Sequence, residues 1–404
     1  ATEQRKAQSQ AQAVADQRQA EQLATRVARW HTAVRALISA PPVAAADDPE
    51  GAEEANKLDE LARLLSVCGD QALANRIDCG IEGRAPVLLS APHGISVLRD
   101  NHDVHVVEPN TSEVARMLAK NLSGRYLVWS ADYQRFCDLL SSFGRKQKFM
   151  PSDVLDPRNR DPNYLTTAEL ADNPWHQRML GAASSWPISD AGALHVDVHG
   201  CKDPPHHDAH LFVGLGAMQA NAKRLATRDP KAAEEALHAV DVFGWALSDE
   251  LSPVLSRLKH ILLPRPPHVL LIQIVIPDKN DGGRGAHAAK PRFAGIAAEE
   301  RSDSDGAVPS RHTMTQQAIT FAGFTHSVQL EMSKVLRKEI VKDPLVGKRF
   351  ADALRSAWVK AKRQFPPSAA AAAGLLPSAQ QQWGEEAPPW EGRRRGAAEV
   401  VSGS

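Results

Sequence analysis

Two stretches of the chain decide its fold, VLLSAPHG at residues 87–94 and LHVDVHG at residues 194–200. Each begins as a run of strand length and ends in a His-Gly pair, at His93 and at His199. Glycine permits the sharp backbone turn that a chain makes when it leaves a sheet. Because functional side chains collect at the carboxyl ends of strands in open α/β sheets, we expect the two histidines to share one sheet edge.

Strand-like runs alternate with helical patterns over the middle of the chain, which predicts an α/β fold with helices on both faces of a sheet. The other strand-like runs are Tyr126–Trp129, Val269–Ile276 and Ser327–Leu330. The helical patterns are Thr111–Asn121, Ala232–Leu251 and Pro344–Gln364.

Composition divides the chain into a predicted N-terminal helix, a linker with a second helix, an α/β domain and a disordered tail. Their boundaries are 1–40, 41–83, 84–365 and 366–404. The first region lacks Pro and Gly, and apolar residues recur at spacings of three and four from Leu23 to Leu37. The linker is PPVAAADDPEGAEEAN at 41–56, and a long loop is expected at 278–312. The tail is rich in Pro, Ala, Gln and Arg.

The chain of 404 residues has 48 Lys and Arg against 48 Asp and Glu, so its formal charge is zero. This balance argues against nucleic acid as a partner, because nucleic-acid-binding domains carry a basic surface. No membrane span is expected, since the apolar runs fall far short of the roughly 20 residues that cross a bilayer. Four cysteines without a CxxC pair favour a reducing compartment. We therefore expect a cytoplasmic protein, or an organellar one after removal of a transit peptide.

The two strand-end histidines have the chemistry of a metal site, because two imidazoles at one sheet edge can bind the same ion. Asp197 lies two residues before His199, on the same face of its strand. It is expected to accept a hydrogen bond from a ligand imidazole or to act as a structural carboxylate deeper in the strand. His195 has the same parity and is interpreted as a buried polar residue.

A third strand, in SVQLEMSKVLR at residues 327–337, carries a carboxylate at its end, Glu331. A buried carboxylate is costly unless its charge is used or paired. Beside a metal, Glu331 can act as a general base on water. The alternative is a structural ion pair with Lys334 or Arg337.

The motifs SAPHG, HVDVHG and QLEMSKVLR, in this order, resemble those of the N-formylglutamate amidohydrolase family, a branch of the zinc carboxypeptidase-like enzymes. The resemblance covers about residues 85–340. It implies a three-layer α/β/α sandwich with a mixed sheet. It also implies one zinc ion held by two histidines and one carboxylate, and hydrolysis of an amide bond next to a free carboxylate.

The resemblance assigns residues one by one. His93 matches the first zinc ligand, His199 the late ligand and Glu331 the catalytic glutamate. VEPNTSEVARMLAKNL at residues 107–122 is similar to a family stretch that makes Glu108 the candidate carboxylate ligand. The alternatives for that ligand are Asp103 and Asp100.

The chain departs from the family pattern at two places. The glutamate that follows the first histidine by three residues in the wider group is replaced by Ser96. The Asp-x-Asn-Arg element corresponds to SADYQRFCDLL at residues 130–140, where Gln134 replaces the Asn. Arg135 of this stretch is the candidate clamp for a substrate carboxylate, because a guanidinium binds a carboxylate through two hydrogen bonds.

The segment at residues 160–180 is similar to a substrate-side insertion, in which Arg160, Asn163 and Tyr164 line the pocket or pack as an ordinary loop. DPPHHDAH at residues 203–210 reads as a loop beside the site rather than a second metal cluster. The predicted function is a zinc-dependent amidohydrolase that acts on a small N-acyl amino acid. The alternatives are a metallocarboxypeptidase for a peptide or protein C-terminus and an inactive scaffold. The N-terminal helix and the tail are candidate sites for a protein partner.

Overall fold

The computed structural model of the chain describes residues 2–39, 49–69, 71–99, 103–146, 154–186, 192–204, 209–226, 229–262, 270–275, 293, 295 and 311–364. The predicted tail, most of the predicted 278–312 loop, Asp100, His206 and His207 lie outside these residues.

A mixed seven-stranded sheet forms the centre of the described structure, in the order β1-β3-β2-β4-β7-β5-β6. The strands are β1 Ile77–Ile81, β2 Val87–Ala91, β3 Arg125–Trp129, β4 Leu194–Cys201, β5 Ala209–Gly214, β6 Leu270–Val275 and β7 His326–Ser333. Strands β3, β2, β4 and β7 run parallel, whereas β1 is antiparallel to β3 and β5 is antiparallel to β7. The expected α/β fold with a mixed sheet is confirmed.

Helices cover both faces of this sheet. In chain order, the α-helices of the described residues are α1 Thr2–Ser39, α2 Pro49–Cys68, α3 Thr111–Leu122, α4 Ala131–Lys146, α5 Thr167–Leu170, α6 Pro174–Ser184, α7 Gly216–Ala226, α8 Pro230–Arg257, α9 Lys259–Leu262, α10 Met314–Thr320, α11 Lys334–Lys342 and α12 Pro344–Gln364. One apolar core joins the sheet to α3, α8, α11 and α12, and a second joins it to α1, α2, α4, α6 and α10. No helix among the described residues is long and apolar enough to cross a bilayer.

The central strands β4 and β7 have two chemically different faces. Successive side chains of a strand point to opposite faces, and Val196 and Val198 of β4 enter the first core together with Leu330 of β7. The residues between them, including Asp197 and Glu331, are polar and buried on the other face. The sheet therefore holds a buried polar row beneath the second core.

The N-terminal helices pack on the body of the protein. Trp30, Val34 and Leu37 of α1 are buried in the core that also contains Leu88 of β2, so the predicted apolar face is confirmed at these positions. Leu23, which lies on the same face but nearer the N-terminus of the helix, is 38% exposed. Among the residues of α1 whose side chains the structure describes, the buried ones lie in the last third of the helix.

Three predicted boundaries differ from the structure. Helix α2 begins at Pro49, inside the predicted linker, because proline is well tolerated in the first turn of a helix. Strand β1 begins at Ile77, before the predicted start of the α/β domain. It is an edge strand whose Asp, Cys and Gly break the apolar pattern. Strand β5 begins at Ala209, where a loop was expected, and it places His210 in the sheet.

Candidate metal centre

Strand register brings the polar row together. His199 of β4 lies opposite Glu331 of β7, and Asp197 lies opposite Gln329. On the other side of β4, Asp197 lies opposite Ser90 of β2. The shared parity of these positions puts their side chains on one face, so the sheet itself delivers His199 and Glu331 to neighbouring places at its edge.

His93 and Glu108 reach the same edge from the loops around β2 and α3. The backbone N–H of Glu108 donates to the carbonyl of His93 at 2.9 Å, which ties the two loops together. The Trp129 indole donates to the Pro92 carbonyl at 2.7 Å and holds the turn that carries His93. Glu108 precedes the first turn of α3, and its carbonyl accepts from the hydroxyl of Thr111 at 2.8 Å.

The three predicted metal ligands, His93, Glu108 and His199, lie close together. Glu108 Oε1 lies 3.2 Å from His93 Nδ1, and Glu108 Oε2 lies 3.4 Å from His199 Nδ1. The two Nδ1 atoms are 3.0 Å apart. Both histidines are 1% exposed and Glu108 is 8% exposed, so these atoms face one another in a largely dehydrated environment.

Each of the two histidines is bound on its far side by a second carboxylate. His93 Nε2 lies 3.0 Å from Asp161 Oδ1, and His199 Nε2 lies 2.8 Å from Asp197 Oδ2. An ionised carboxylate only accepts hydrogen bonds, so each Nε2 carries the proton. Both Nδ1 atoms of the neutral rings then present lone pairs to each other and to Glu108. The two lone pairs and the Glu108 carboxylate repel one another unless a proton or a cation lies between the three groups.

The charges of the cluster shift its pKa values accordingly. Burial lowers the pKa of His199, but Asp197 and Glu108 outweigh burial and raise it well above its ordinary value. The pKa of His93 is also raised, because Asp161 and Glu108 outweigh the burial that would lower it. Burial favours protonation of Glu108, yet His93 and His199 hold its pKa well below the usual range. The cluster is thus built to attract positive charge.

His105 adds another nitrogen to this cluster. Its ring stacks on His93 with centroids 3.8 Å apart. Its Nδ1 lies 2.9 Å from the Val106 carbonyl, which can only accept, so the lone pair of the neutral ring is on Nε2. That atom lies 3.4 Å from Glu108 Oε1. His93, His105 and Glu108 offer ligand atoms within 4.8 Å of one another, a group that can hold a metal ion.

Glu331 is buried beside this cluster, 7% exposed, and its Oε1 accepts from Gln329 Nε2 at 2.8 Å. Burial raises the pKa of Glu331 to about 7 against the opposing charge of His199. Arg337, the alternative partner, donates to the backbone carbonyls of Pro109, Cys201 and Met332.

Close packing explains the glycines after the two histidines. A Cβ at Gly200 would lie 2.2 Å from Arg337 Nη1, and one at Gly94 would lie 2.4 Å from Ser112 Oγ. Positive φ angles occur at other glycines of the described chain, and Gly200 is still part of β4. The expected sharp turn at Gly200 is wrong, and the glycine instead makes room for the Arg337 guanidinium.

The predicted substrate-side residues surround the cluster to different degrees. Asn163 is close, with Nδ2 3.4 Å from His199 Nε2 and Oδ1 accepting from the Met314 N–H at 2.6 Å. Arg160 pairs with Glu169 at 2.7 Å. Tyr164 lies beneath the guanidinium groups of Arg99 and Arg311.

The guanidinium carbons of Arg99 and Arg311 lie 5.8 and 4.7 Å from the Tyr164 ring centroid. Arg99 also donates to Asp161 Oδ2 at 2.5 Å. Asp161 is the residue that sequence reasoning missed, although it lies in the RDPNY stretch beside Arg160. The signal that could have identified Asp161 is its position directly beside Arg160, a predicted pocket residue. His105, three positions before Glu108, was also missed.

Arg135 lies elsewhere in the structure. It is on α4 with half of its side chain exposed, and it donates to both carboxylate oxygens of Glu60 on α2, at 2.7 and 3.1 Å. Its neighbour Gln134 donates to the Trp129 carbonyl at 2.6 Å. The structure therefore engages Arg135 in an ion pair between two helices, and its role as a substrate clamp stays a prediction.

Comparisons with known proteins add little to this geometry. No protein-family model and no curated protein matches the chain. Among solved structures, the chain is similar to the crystal structure of gene product Atu2144 from Agrobacterium tumefaciens, with a TM-score of 0.36 and 12% sequence identity. The match covers 76% of this chain and 99% of that chain.

Proposed function

We propose that the chain is a zinc-dependent hydrolase in which His93, Glu108 and His199 hold the metal and Glu331 transfers protons during cleavage of an amide bond. The observation that carries this proposal is the meeting of two imidazole lone pairs and a carboxylate in one buried place. Each imidazole is also backed by a carboxylate, the arrangement typical of metal-binding histidines.

The spacing of the donor atoms fits zinc. Zinc binds imidazole nitrogen at about 2.0–2.1 Å, so the ligand atoms of a tetrahedral site lie roughly 3.3 Å apart. The separations among His93 Nδ1, His199 Nδ1 and Glu108 are 3.0, 3.2 and 3.4 Å. Three protein ligands leave one position open for water or substrate, as catalytic zinc requires.

His105 is the second candidate for the third nitrogen ligand. It shares His93 and Glu108 with the proposed set, and its Nε2 is equally near Glu108. We favour His199 because its Nδ1 lies close to both other donors and its Nε2 is bound to a buried carboxylate. A comparison of His105→Ala with His199→Ala separates the two sets.

Bound zinc supplies Lewis acidity, which lowers the pKa of a bound water to about 7. We assign to Glu331 the transfer of a proton from water to the leaving amine, because it lies opposite His199 in the register of β4 and β7. A carboxyl with a pKa near 7 suits both tasks. A neighbouring cation would lower this pKa again and so favour the carboxylate form that accepts the proton.

We place the carboxylate end of the substrate near Tyr164. The guanidinium groups of Arg99 and Arg311 lie over the Tyr164 ring, and that of Arg160 lies nearby in sequence. Asp161 and Glu169 compensate part of the charge of these three groups. Guanidinium groups bind carboxylates through paired hydrogen bonds. The low exposure of His93 and His199 favours a small N-acyl amino acid over a folded protein's C-terminus.

Metal content and turnover test the proposal together. We expect about one zinc per chain by elemental analysis of the purified wild-type protein, and loss of zinc in His93→Ala and in His199→Ala. Glu331→Gln is expected to keep the zinc and lose hydrolysis of N-acyl amino acids. Folded wild-type protein that takes up no zinc after incubation with the metal contradicts the proposal and favours the scaffold alternative. Cleavage of C-terminal residues from peptides, without deacylation, favours the carboxypeptidase.

A further inference from the structure

We propose that Ser327, His195 and Ser90 form a one-directional hydrogen-bond relay that orients Asp197 and thereby keeps the proton of His199 on Nε2. Its consequence is that Nδ1 of His199 is the atom left to bind a metal. The inference rests on the proposed function for this consequence, while the relay itself is a property of the protein without metal.

The relay is a continuous chain across three neighbouring strands. Ser327 Oγ of β7 lies 2.8 Å from His195 Nδ1 of β4, and His195 Nε2 lies 2.9 Å from Ser90 Oγ of β2. Ser90 Oγ donates to Asp197 Oδ1 at 2.6 Å, and Asp197 Oδ2 lies 2.8 Å from His199 Nε2. Ser327, His195, Ser90 and Asp197 are fully buried, so water does not compete for their hydrogen bonds.

Strand register explains why the chain forms. His195 is paired with Ser327 across β4 and β7, and Asp197 is paired with Ser90 across β4 and β2. All four positions point to the same face of the sheet, opposite to the one that carries Val196 and Val328. The geometry is thus set by rigid central strands and not by a loop.

The direction of each hydrogen bond follows from counting protons. Asp197 Oδ1 accepts a hydrogen bond from Ser90 Oγ, and Asp197 Oδ2 lies against His199 Nε2, whereas a hydroxyl group has one proton to donate. The single proton of Ser90 therefore goes to Asp197. His195 must then donate from Nε2 to Ser90, and Ser327 must donate to His195 Nδ1. Burial lowers the pKa of His195 to about 4, so the ring carries one proton near neutral pH.

The relay gives His195 and Ser90 a task beyond filling the interior. Because Ser90 holds Oδ1 of the Asp197 carboxylate, Oδ2 remains aligned with His199 Nε2. In a low-dielectric interior such chains polarise each bond in turn, and partners behind a metal-binding histidine typically contribute about 10–100-fold to metal affinity. These residues act through His199 and are positioning residues.

The first experiment measures ring protons directly. The protein is labelled with nitrogen-15 in its histidine rings, and long-range proton–nitrogen NMR spectra are recorded for the metal-free wild type, with His195 assigned by the signals lost in His195→Gln. We expect His195 to carry its proton on Nε2. A proton on Nδ1 overturns the relay, whether or not the protein binds metal.

The second experiment measures zinc affinity by competition with a chromophoric chelator. Ser90→Ala is expected to weaken zinc binding about tenfold, and Ser90→Thr, which keeps the hydroxyl, to restore most of the affinity. His326→Gln is the control for a buried polar substitution outside the relay, because His326 is a buried histidine of the neighbouring strand β7 that faces Phe243 in the opposite core. It is expected to bind zinc like wild type.

The outcomes separate the relay from the proposed function. A Ser90→Ala affinity equal to that of His326→Gln overturns the relay even where wild type binds zinc tightly. Wild-type protein that binds no zinc defeats the proposed function, and the position of the His195 proton then decides the relay alone. Unfolding midpoints of all variants, recorded alongside, show whether an affinity change reflects general loss of structure.

Discussion

The two histidines of the candidate centre follow the same His-Gly pattern but are supported by different parts of the molecule. The carboxylate behind His199 is Asp197, two residues away on the same strand. The carboxylate behind His93 is Asp161, 68 positions along the chain in a segment between α4 and α5. One half of the site is therefore built within the sheet, and the other depends on a loop.

That loop is held by the N-terminal part of the protein. The Trp30 indole of α1 donates to the Val154 carbonyl at 3.1 Å. Arg76, just before β1, donates to Asp156 Oδ2 at 2.7 Å, and Arg158 donates to the Gly69 carbonyl at 2.6 Å. The N-terminal helices thus contribute to the His93 half of the site.

Removal of Asp197 is expected to have the largest effect on the sheet half. Asp197→Ala leaves His199 and Ser90 without their buried partner, and breaking a buried charged pair costs about 3–5 kcal/mol. We expect zinc affinity to fall about 100-fold, against about tenfold for Asp161→Ala, because the loop can adjust around a lost contact. Competition with a chelator measures the zinc affinity of the two variants, and chemical denaturation measures their free energy of unfolding. Equal effects of the two variants would remove the distinction between the halves.

Trp30→Ala tests the link between α1 and the loop half. The substitution removes a buried indole and its hydrogen bond to Val154, and replacing a buried Trp by Ala typically costs about 3–5 kcal/mol. We expect a lower free energy of unfolding and a weaker zinc affinity, with the ring signals of His195 unchanged. Leu23→Ala on the exposed part of the same helix is the control and is expected to match wild type.

The pH dependence of stability tests the contact between the loop residue Asp156 and Arg76. Burial raises the pKa of Asp156, but the hydrogen bond from Arg158 and the charge of Arg76 outweigh burial and lower it. A carboxyl with a depressed folded-state pKa stabilises the protein above the unfolded value of about 3.9 and loses this contribution as pH falls. Wild type is therefore expected to exceed Asp156→Asn in stability at pH 7. The difference should shrink below about pH 4 in denaturation curves; a constant difference contradicts the assignment.

Arg135 is expected to give the smallest effect. Its exposed ion pair with Glu60 is screened by solvent, and such pairs contribute little to stability. We expect Arg135→Ala and its control Glu60→Ala to resemble wild type in unfolding midpoint and in turnover. A large loss of turnover in Arg135→Ala alone would support the substrate clamp predicted from sequence and would require Arg135 to leave Glu60 when substrate binds.

The strands that carry His93, His199 and Glu331 were predictable because a buried strand leaves a clear local pattern. The alternation in LHVDVHG also placed Asp197 behind His199, since that relation spans two residues. Strand β1 escaped prediction because an edge strand needs fewer apolar residues. Strand β5 escaped because the histidine-rich run before it resembled a loop.

The sequence by itself determined most of the helical and strand pattern and the shared face of His195, Asp197 and His199, whereas Glu108 was one of three candidate carboxylates until the structure brought it to both histidines. Only the tertiary structure decided that Asp161 supports His93, that His105 stacks on the same ring, and that Arg135 turns to Glu60. The physical reason is range. Periodicity reports which face a side chain occupies, whereas contacts between distant segments depend on packing that leaves no repeating signal in the chain.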